Sequence, residues 1–331
     1  MNLLNCLCRV VLAISLLLVV AQVALCQTEQ IEKSIFIVSN QTKLFLELRG
    51  PSRNVPLLLF LHGGPGNAFA LVSFRAYAGP QLESKYLMAY LHQRGVLNSP
   101  AVPDSSQTLA NHVADVRNVV KYLRAQFPGR RLYLLGHSWG GTLAMLSILD
   151  QPDLVDGVID VSGPFNSQSD LKDSYEAALK WAQDSHNSEA STELQSLGPP
   201  PYHDVNQQMV LSKWASSAKG GIDAHLSEAQ LLSRAPFTKF EPSWQDVQLR
   251  ITKAMYAELG GVNVEPRLSK MHIPLLVIVG GKDAVVPPAC LRSGYALYGG
   301  PKEWVELSGS HHLPFVDEPE PFLKAVEGFI R

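Results

Sequence analysis

Arg131-Leu132-Tyr133-Leu134-Leu135-Gly136-His137-Ser138-Trp139-Gly140-Gly141 is the stretch on which the fold turns. Arg131 to Leu135 has the length and apolar content of a buried strand, and Trp139 to Leu149 continues as an apolar helix. Ser138 therefore falls on the bend between them. A serine on such a strand-to-helix corner is held in a strained backbone conformation, with its hydroxyl projecting at the carboxyl end of the strand. Its neighbours must be small to avoid clashes, and Gly136, Gly140 and Gly141 meet that need. A glycine-rich turn carrying a chance serine is the alternative, and the strand before and helix after it weigh against that.

Working outward, Leu57 to Leu61 is a continuous apolar run stopped by His62-Gly63-Gly64-Pro65-Gly66, as expected of a buried parallel strand ending in a glycine loop. Tyr86 to Leu91 is a weaker strand. Leu109, Val113, Val116, Val120, Leu123 and Phe127 recur at helical spacing until Pro128-Gly129 ends the segment. Val158 to Val161 and Pro274 to Val279 are further strands, followed by a helix near Ala289 to Tyr298, a strand near Glu303 to Leu307 and a last helix from Pro319 to Ile330. At the start, Ser34 to Val38 and Lys43 to Leu48 flank Ser39-Asn40-Gln41-Thr42 and read as an antiparallel edge hairpin. Strands alternating with helices imply a mostly parallel sheet covered on both faces. The rhythm breaks between Phe165 and Pro266, where polar helical stretches, Gly198-Pro199-Pro200-Pro201, Trp181, Trp214 and Trp244 predict an inserted helical cap. The tryptophans are expected to form the cap's own core rather than a substrate platform. The expected domains are core 27–164, cap 165–266 and core 267–331.

A serine hydroxyl needs a base to take its proton and a carboxylate to orient that base. Asp283 follows a strand in Gly280-Gly281-Lys282-Asp283, and His311-His312 follow the last strand, so the order along the chain is Ser, Asp, His. That order, with the serine elbow, is expected of the α/β-hydrolase fold. Asp160, inside a strand, is the reserve acid. The oxyanion formed on attack needs two donors, expected from the backbone N–H of Trp139 and from the His62 to Gly66 loop at Gly64. His62 itself is expected to be structural. No metal or organic cofactor is indicated, since the ten histidines show no HExxH or similar ligand spacing.

Together, His62 to Gly66, Gln93-Arg94-Gly95, Gly136 to Gly141, Asp283 and His312 resemble the proline iminopeptidase family of serine peptidases. The resemblance covers essentially the whole chain after residue 26. It implies an α/β-hydrolase with a helical cap that removes an N-terminal residue, typically proline, from peptides. The segment Leu313 to Pro319 resembles the histidine loop of that fold, which favours His312 over His311 as the base. Where the family reads Asp-Gln-Arg-Gly, this chain has His92-Gln93-Arg94-Gly95, followed by Val96-Leu97-Asn98-Ser99. Leu197 to Tyr202 resembles relatives whose substrates are not settled. An aminopeptidase must oppose its substrate's ammonium with a carboxylate, for which Glu176, Glu241, Asp246 and Glu258 are the cap candidates.

The 331 residues are 46% hydrophobic and 18% charged, enough apolar chain for one large core with an insert. Net charge is −2 without a long like-charge run, so nucleic acid is not an expected partner; a small peptide or ester substrate is. Arg9, the apolar run Val10 to Ala21, and small residues Ala24 and Cys26 before Gln27 read as a signal peptide of residues 1–26. A secreted protein without stable membrane association is expected, an uncleaved signal anchor being the alternative. Cys6, Cys8 and Cys26 would leave with the signal, so Cys290 remains as a small apolar residue with no disulfide partner. Asn40-Gln41-Thr42 is a glycosylation sequon in a eukaryotic secretory pathway. Two other functions keep the same residues: hydrolysis of carboxylic esters or lactones, and ligand binding without turnover.

Overall fold

Antiparallel pairing begins the described residues. In the computed structural model, which describes residues 29–52, 54–218 and 244–330, β1 (Gln30–Ser39) and β2 (Thr42–Pro51) pair with Ser39 opposite Thr42. The two-residue turn between them has positive φ at Asn40 (38°) and Gln41 (66°), the handedness that matches strand twist. Both strands are longer than the sequence pattern suggests, because register continues to Gln30 opposite Pro51 after the apolar alternation has faded. The signal segment 1–26 and Glu241 lie outside the described residues.

Six more strands complete one sheet: β3 (Leu57–Leu61), β4 (Leu87–Leu91), β5 (Leu132–His137), β6 (Gly157–Val161), β7 (Leu275–Gly280) and β8 (Lys302–Leu307). The spatial order is β1-β2-β4-β3-β5-β6-β7-β8, antiparallel at β1/β2 and β2/β4 and parallel elsewhere. Every residue of β3 to β7 is buried, as expected where helices cover both faces. The period of two divides β3 between two cores, Leu57, Leu59 and Leu61 facing one and Leu58 and Phe60 the other. β5 runs beyond Leu135 because Gly136 and His137 still pair with Asp160 and Val161.

Helices, numbered along the described residues, fill the crossovers. α1 (Ala68–Tyr77) and α2 (Gly79–Lys85) join β3 to β4. The sequence pattern did not expose them, since α1 is apolar nearly all round and so lacks a helical stripe. Asn67 starts α1, its side chain accepting the Ala70 N–H at 3.2 Å. α3 (Leu109–Gln126) and α4 (Trp139–Ile148) flank β5 in sequence.

Between β6 and β7 come α5 (Ser167–Asp184), α6 (Ser188–Leu197), α7 (Val205–Ser217), α8 (Trp244–Leu259) and the short α9 (Glu265–Leu268). Asn166, Asn187 and Asp204 cap α5, α6 and α7 through side-chain oxygens. These three helices share a small core around Tyr175, Leu194, Leu211 and Trp214, with Trp181 packed against it. Trp244 departs from the expectation: it stacks on Phe69 of α1 at 5.8 Å, and Ile251 and Met255 of its helix belong to the main core. After β7, α10 (Pro288–Leu297), α11 (Pro314–Asp317) and α12 (Pro319–Phe329) close the fold, α12 burying Phe322, Leu323, Val326 and Phe329. Among the described residues no helix is long and apolar enough to cross a membrane.

Candidate active site

Ser138 joins β5 to α4 with φ 54° and ψ −123°, a conformation that most side chains avoid. Hydrogen bonds impose it: the Ser138 N–H donates to the Val161 carbonyl at 2.8 Å, and its own carbonyl accepts the Gly141 N–H at 2.8 Å. The bend is packed so closely that a Cβ on Gly140 would lie 2.0 Å from the Leu61 carbonyl oxygen. A Cβ on Gly141 would meet Asp160 Oδ1 at 2.1 Å. Glycine is required there by contact.

Asp283 and His312, 29 positions apart in sequence, meet at the carboxyl ends of β7 and β8. The Nδ1–H of His312 donates to Asp283 Oδ2 at 2.8 Å. Asp283 Oδ1 accepts the N–H groups of Val285 (2.9 Å) and Val286 (3.0 Å), so both carboxylate oxygens are engaged. The pair is buried, with 3% of Asp283 and 6% of His312 exposed. With Nδ1 protonated toward the acid, Nε2 is left as an acceptor. Ser138 and His312 line one cavity of about 240 Å³.

Gly64 and Trp139 line the same cavity. Gly64 has φ 129°, where a Cβ would stand 2.3 Å from the Gly66 nitrogen. Trp139 is the first residue of α4, so its N–H has no intrahelical acceptor and lies at the positive end of the helix. The indole Nε1–H donates to Gln93 Oε1 at 3.0 Å, and Gln93 Nε2–H donates to the His62 carbonyl at 2.7 Å. Gln93 thus ties the glycine loop to the serine elbow. His62 is fully buried, donates from Nδ1 to the Gly63 carbonyl at 2.9 Å and is lowered by burial to about 4, which keeps it neutral and structural.

Arg94 and His92 hold the surrounding scaffold. The buried Arg94 makes a two-pronged contact with Asp115 at 2.9 and 2.7 Å, and Asp115 also accepts the Ser39 hydroxyl at 2.6 Å. His92 accepts the Asn98 N–H on Nδ1 at 3.2 Å and the Ser99 hydroxyl on its carbonyl at 2.5 Å. It closes a local loop.

The remaining candidates separate cleanly. Asp160 stands beneath the elbow, accepting the Gly163 N–H at 2.8 Å, and burial raises its carboxyl well above the ordinary range; it does not orient His312. His311 turns to Asp317, which accepts its N–H at 2.7 Å. Glu176, Asp246 and Glu258 are exposed and none lines the cavity; Glu258 instead accepts the Leu109 N–H at 2.6 Å. The acid that does line it is Asp170, in the first turn of α5. Burial pushes its carboxyl up to about 8. A first-turn aspartate reads in sequence as an ordinary partner of the helix dipole, which hides it. The sequence likewise gives no sign of the contact made by His137, whose Nε2–H donates to the His312 carbonyl at 2.8 Å.

An eight-stranded, mostly parallel sheet with a serine elbow after its fifth strand defines a hydrolase-type scaffold. The chain belongs to the alpha/beta hydrolase fold family, whose model matches residues 56–319. It is 26% identical over 313 residues to the Bacillus subtilis protein named "Probable aminopeptidase YbaC", covering 91% of this chain and 98% of that one. It is 25% identical over 281 residues to the proline iminopeptidase of Lactobacillus delbrueckii subsp. bulgaricus, covering 79% and 85%. Its fold is shared by the esterase RhEst1 from Rhodococcus sp. ECU1013, with a TM-score of 0.62, 20% identity and coverage of 90% and 98%.

Proposed function

We propose that the protein is an exported serine aminopeptidase that releases an N-terminal residue such as proline from short peptides. The observation that carries the chemistry is the buried His312–Asp283 hydrogen bond of 2.8 Å behind a cavity that Ser138 also lines. His312 Nε2 takes the Ser138 proton as the hydroxyl attacks the scissile carbonyl. Asp283 holds the ring and opposes the imidazolium charge, while the Gly64 and Trp139 N–H groups receive the oxyanion. As the tetrahedral intermediate collapses, His312 gives the proton to the leaving amine and an acyl-serine remains. Water, deprotonated by the same imidazole, then frees the acid.

The choice of peptide substrates is supported by the relatives named for aminopeptidase and proline iminopeptidase activity. Carboxylic esters are the second candidate, since the same groups would hydrolyse them and a solved esterase has this fold. Turnover of short-chain aryl esters with none of proline arylamide would reject the peptidase assignment. Ser138→Ala is expected to lower kcat by about 10⁴-fold or more and to abolish fluorophosphonate labelling. Undiminished turnover by a folded, pure variant refutes the mechanism, and a wild type that cannot be labelled points to a binding protein. Export is read from residues 1–26; an N-terminus at Gln27 in secreted material supports it, and an intact Met1 rejects cleavage.

A further inference from the structure

Asp170 and Ser138 line the same cavity from different elements: the serine stands at the end of β5, the aspartate in the first turn of α5. Enclosed by protein on its other sides, it keeps a partly accessible surface toward the cavity. Cys290 of α10 donates its S–H to Oδ1 at 3.5 Å, a weak hydrogen bond. The other titratable groups acting on it are Asp283, after β7, and Asp173, on its own helix. Both are acids. Among the described residues no lysine, arginine or histidine forms an ion pair with Asp170. A carboxyl in such surroundings gains most from a cation brought in by the ligand.

We infer that Asp170 receives the substrate's free α-ammonium group and is the residue that restricts this cavity to substrates with an unblocked N-terminus. The inference rests on the aminopeptidase function proposed above. With the ammonium held at Asp170 and the scissile carbonyl at Ser138, both on one cavity, cleavage is directed to the peptide bond next to the free amine. Cys290 occupies one side of the carboxyl group and steadies it, and the weak S–H donor competes poorly with an ammonium N–H. Among the described residues the other polar insert groups on the wall, Ser167, Gln208, Ser212, Ser216, Gln248 and Thr252, are uncharged.

The test compares phenyl esters of proline and of cyclopentanecarboxylic acid, which have the same ring shape but differ in the amine. Wild-type kcat/KM should favour the prolyl ester by about 100-fold or more, since a site that pairs a polar group rejects the analogue lacking it. Asp170→Asn, which keeps the shape, should erase most of that preference while leaving the cyclopentane ester within a few-fold. If this variant does not fold, competition on the wild type decides: prolinamide should inhibit and cyclopentanecarboxamide should not. Equal treatment of the two esters by the wild type, retention of the preference in Asp170→Asn, or equal inhibition by the two amides overturns the inference while leaving the hydrolase intact. No turnover of either ester, together with no fluorophosphonate labelling of Ser138, would instead sink the proposed function and the Asp170 assignment with it.

Discussion

His137 precedes the serine in every reading of the elbow, yet its contact lies 175 positions away, on the carbonyl of His312. Its ring also stands 4.8 Å from the His312 ring and 5.2 Å from Phe315, edge-on to the latter. The side chain therefore links the strand that leads into Ser138 to the loop that carries His312. His137→Leu should lower kcat about 10-fold to 100-fold with little change in KM, because misplacement of a reacting group by about 1 Å is costly. His137→Gln retains an N–H donor and should recover part of the loss. Steady-state kinetics on the two variants checks this, and equal kcat in all three proteins would remove His137 from the positioning of the base.

At the level of elements, α1 hangs on Asn67. Its oxygen satisfies one N–H at the helix start, and the helix carries Leu71 and Phe74 into the core beside Phe60, whose ring stacks on Phe74 at 3.9 Å. Asn67→Ala should cost about 1 kcal/mol of unfolding free energy, measured by urea titration; no shift in midpoint would reject the cap. This helix also shows where sequence patterns lose their grip. β3 and α3 were legible because one is a short apolar run and the other an apolar stripe, each bounded by breakers. The elbow was legible because steric demands dictate residue types. An almost wholly apolar helix has no such period, and the Asp170 side chain could be given a cavity only once α5 had been folded back over the sheet. The placement of Trp244 is hidden for the same reason, since its stacking partner, Phe69, lies in a distant part of the chain.

Across the molecule, several histidines are enclosed in the neutral form. His112, which shares a hydrogen bond of 2.9 Å with Gln107 and meets the Trp139 ring edge-on at 5.9 Å, is lowered by burial to about 3, from an ordinary value of 6.5. The unfolded chain takes up this proton below pH 6.5 while the folded protein refuses it until about pH 3, so acidification through that window favours unfolding. Above pH 6.5 both states are neutral and the contribution is complete. Relative to His112→Phe, the wild type should lose about 1.4 kcal/mol for each pH unit below 6.5. Asp170 titrates with the opposite sign, folding being favoured as pH falls from about 8, but that change is common to both proteins and cancels in the difference. Parallel urea curves at pH 7 and pH 5 measure the effect, and an unchanged gap between the two proteins would contradict it.

The route of the chain through the sheet also sets a timetable. The strand bearing Ser138 is complete by residue 137, the Asp283 loop follows β7, and His312 arrives only after β8, the last strand in both sequence and space. Under the proposed chemistry, a ribosome halted between codons 138 and 312 releases a product that carries Ser138 but lacks the His312 imidazole that would awaken it. Copies cut short in that interval would be silent, and competence would come only with the loop that follows β8.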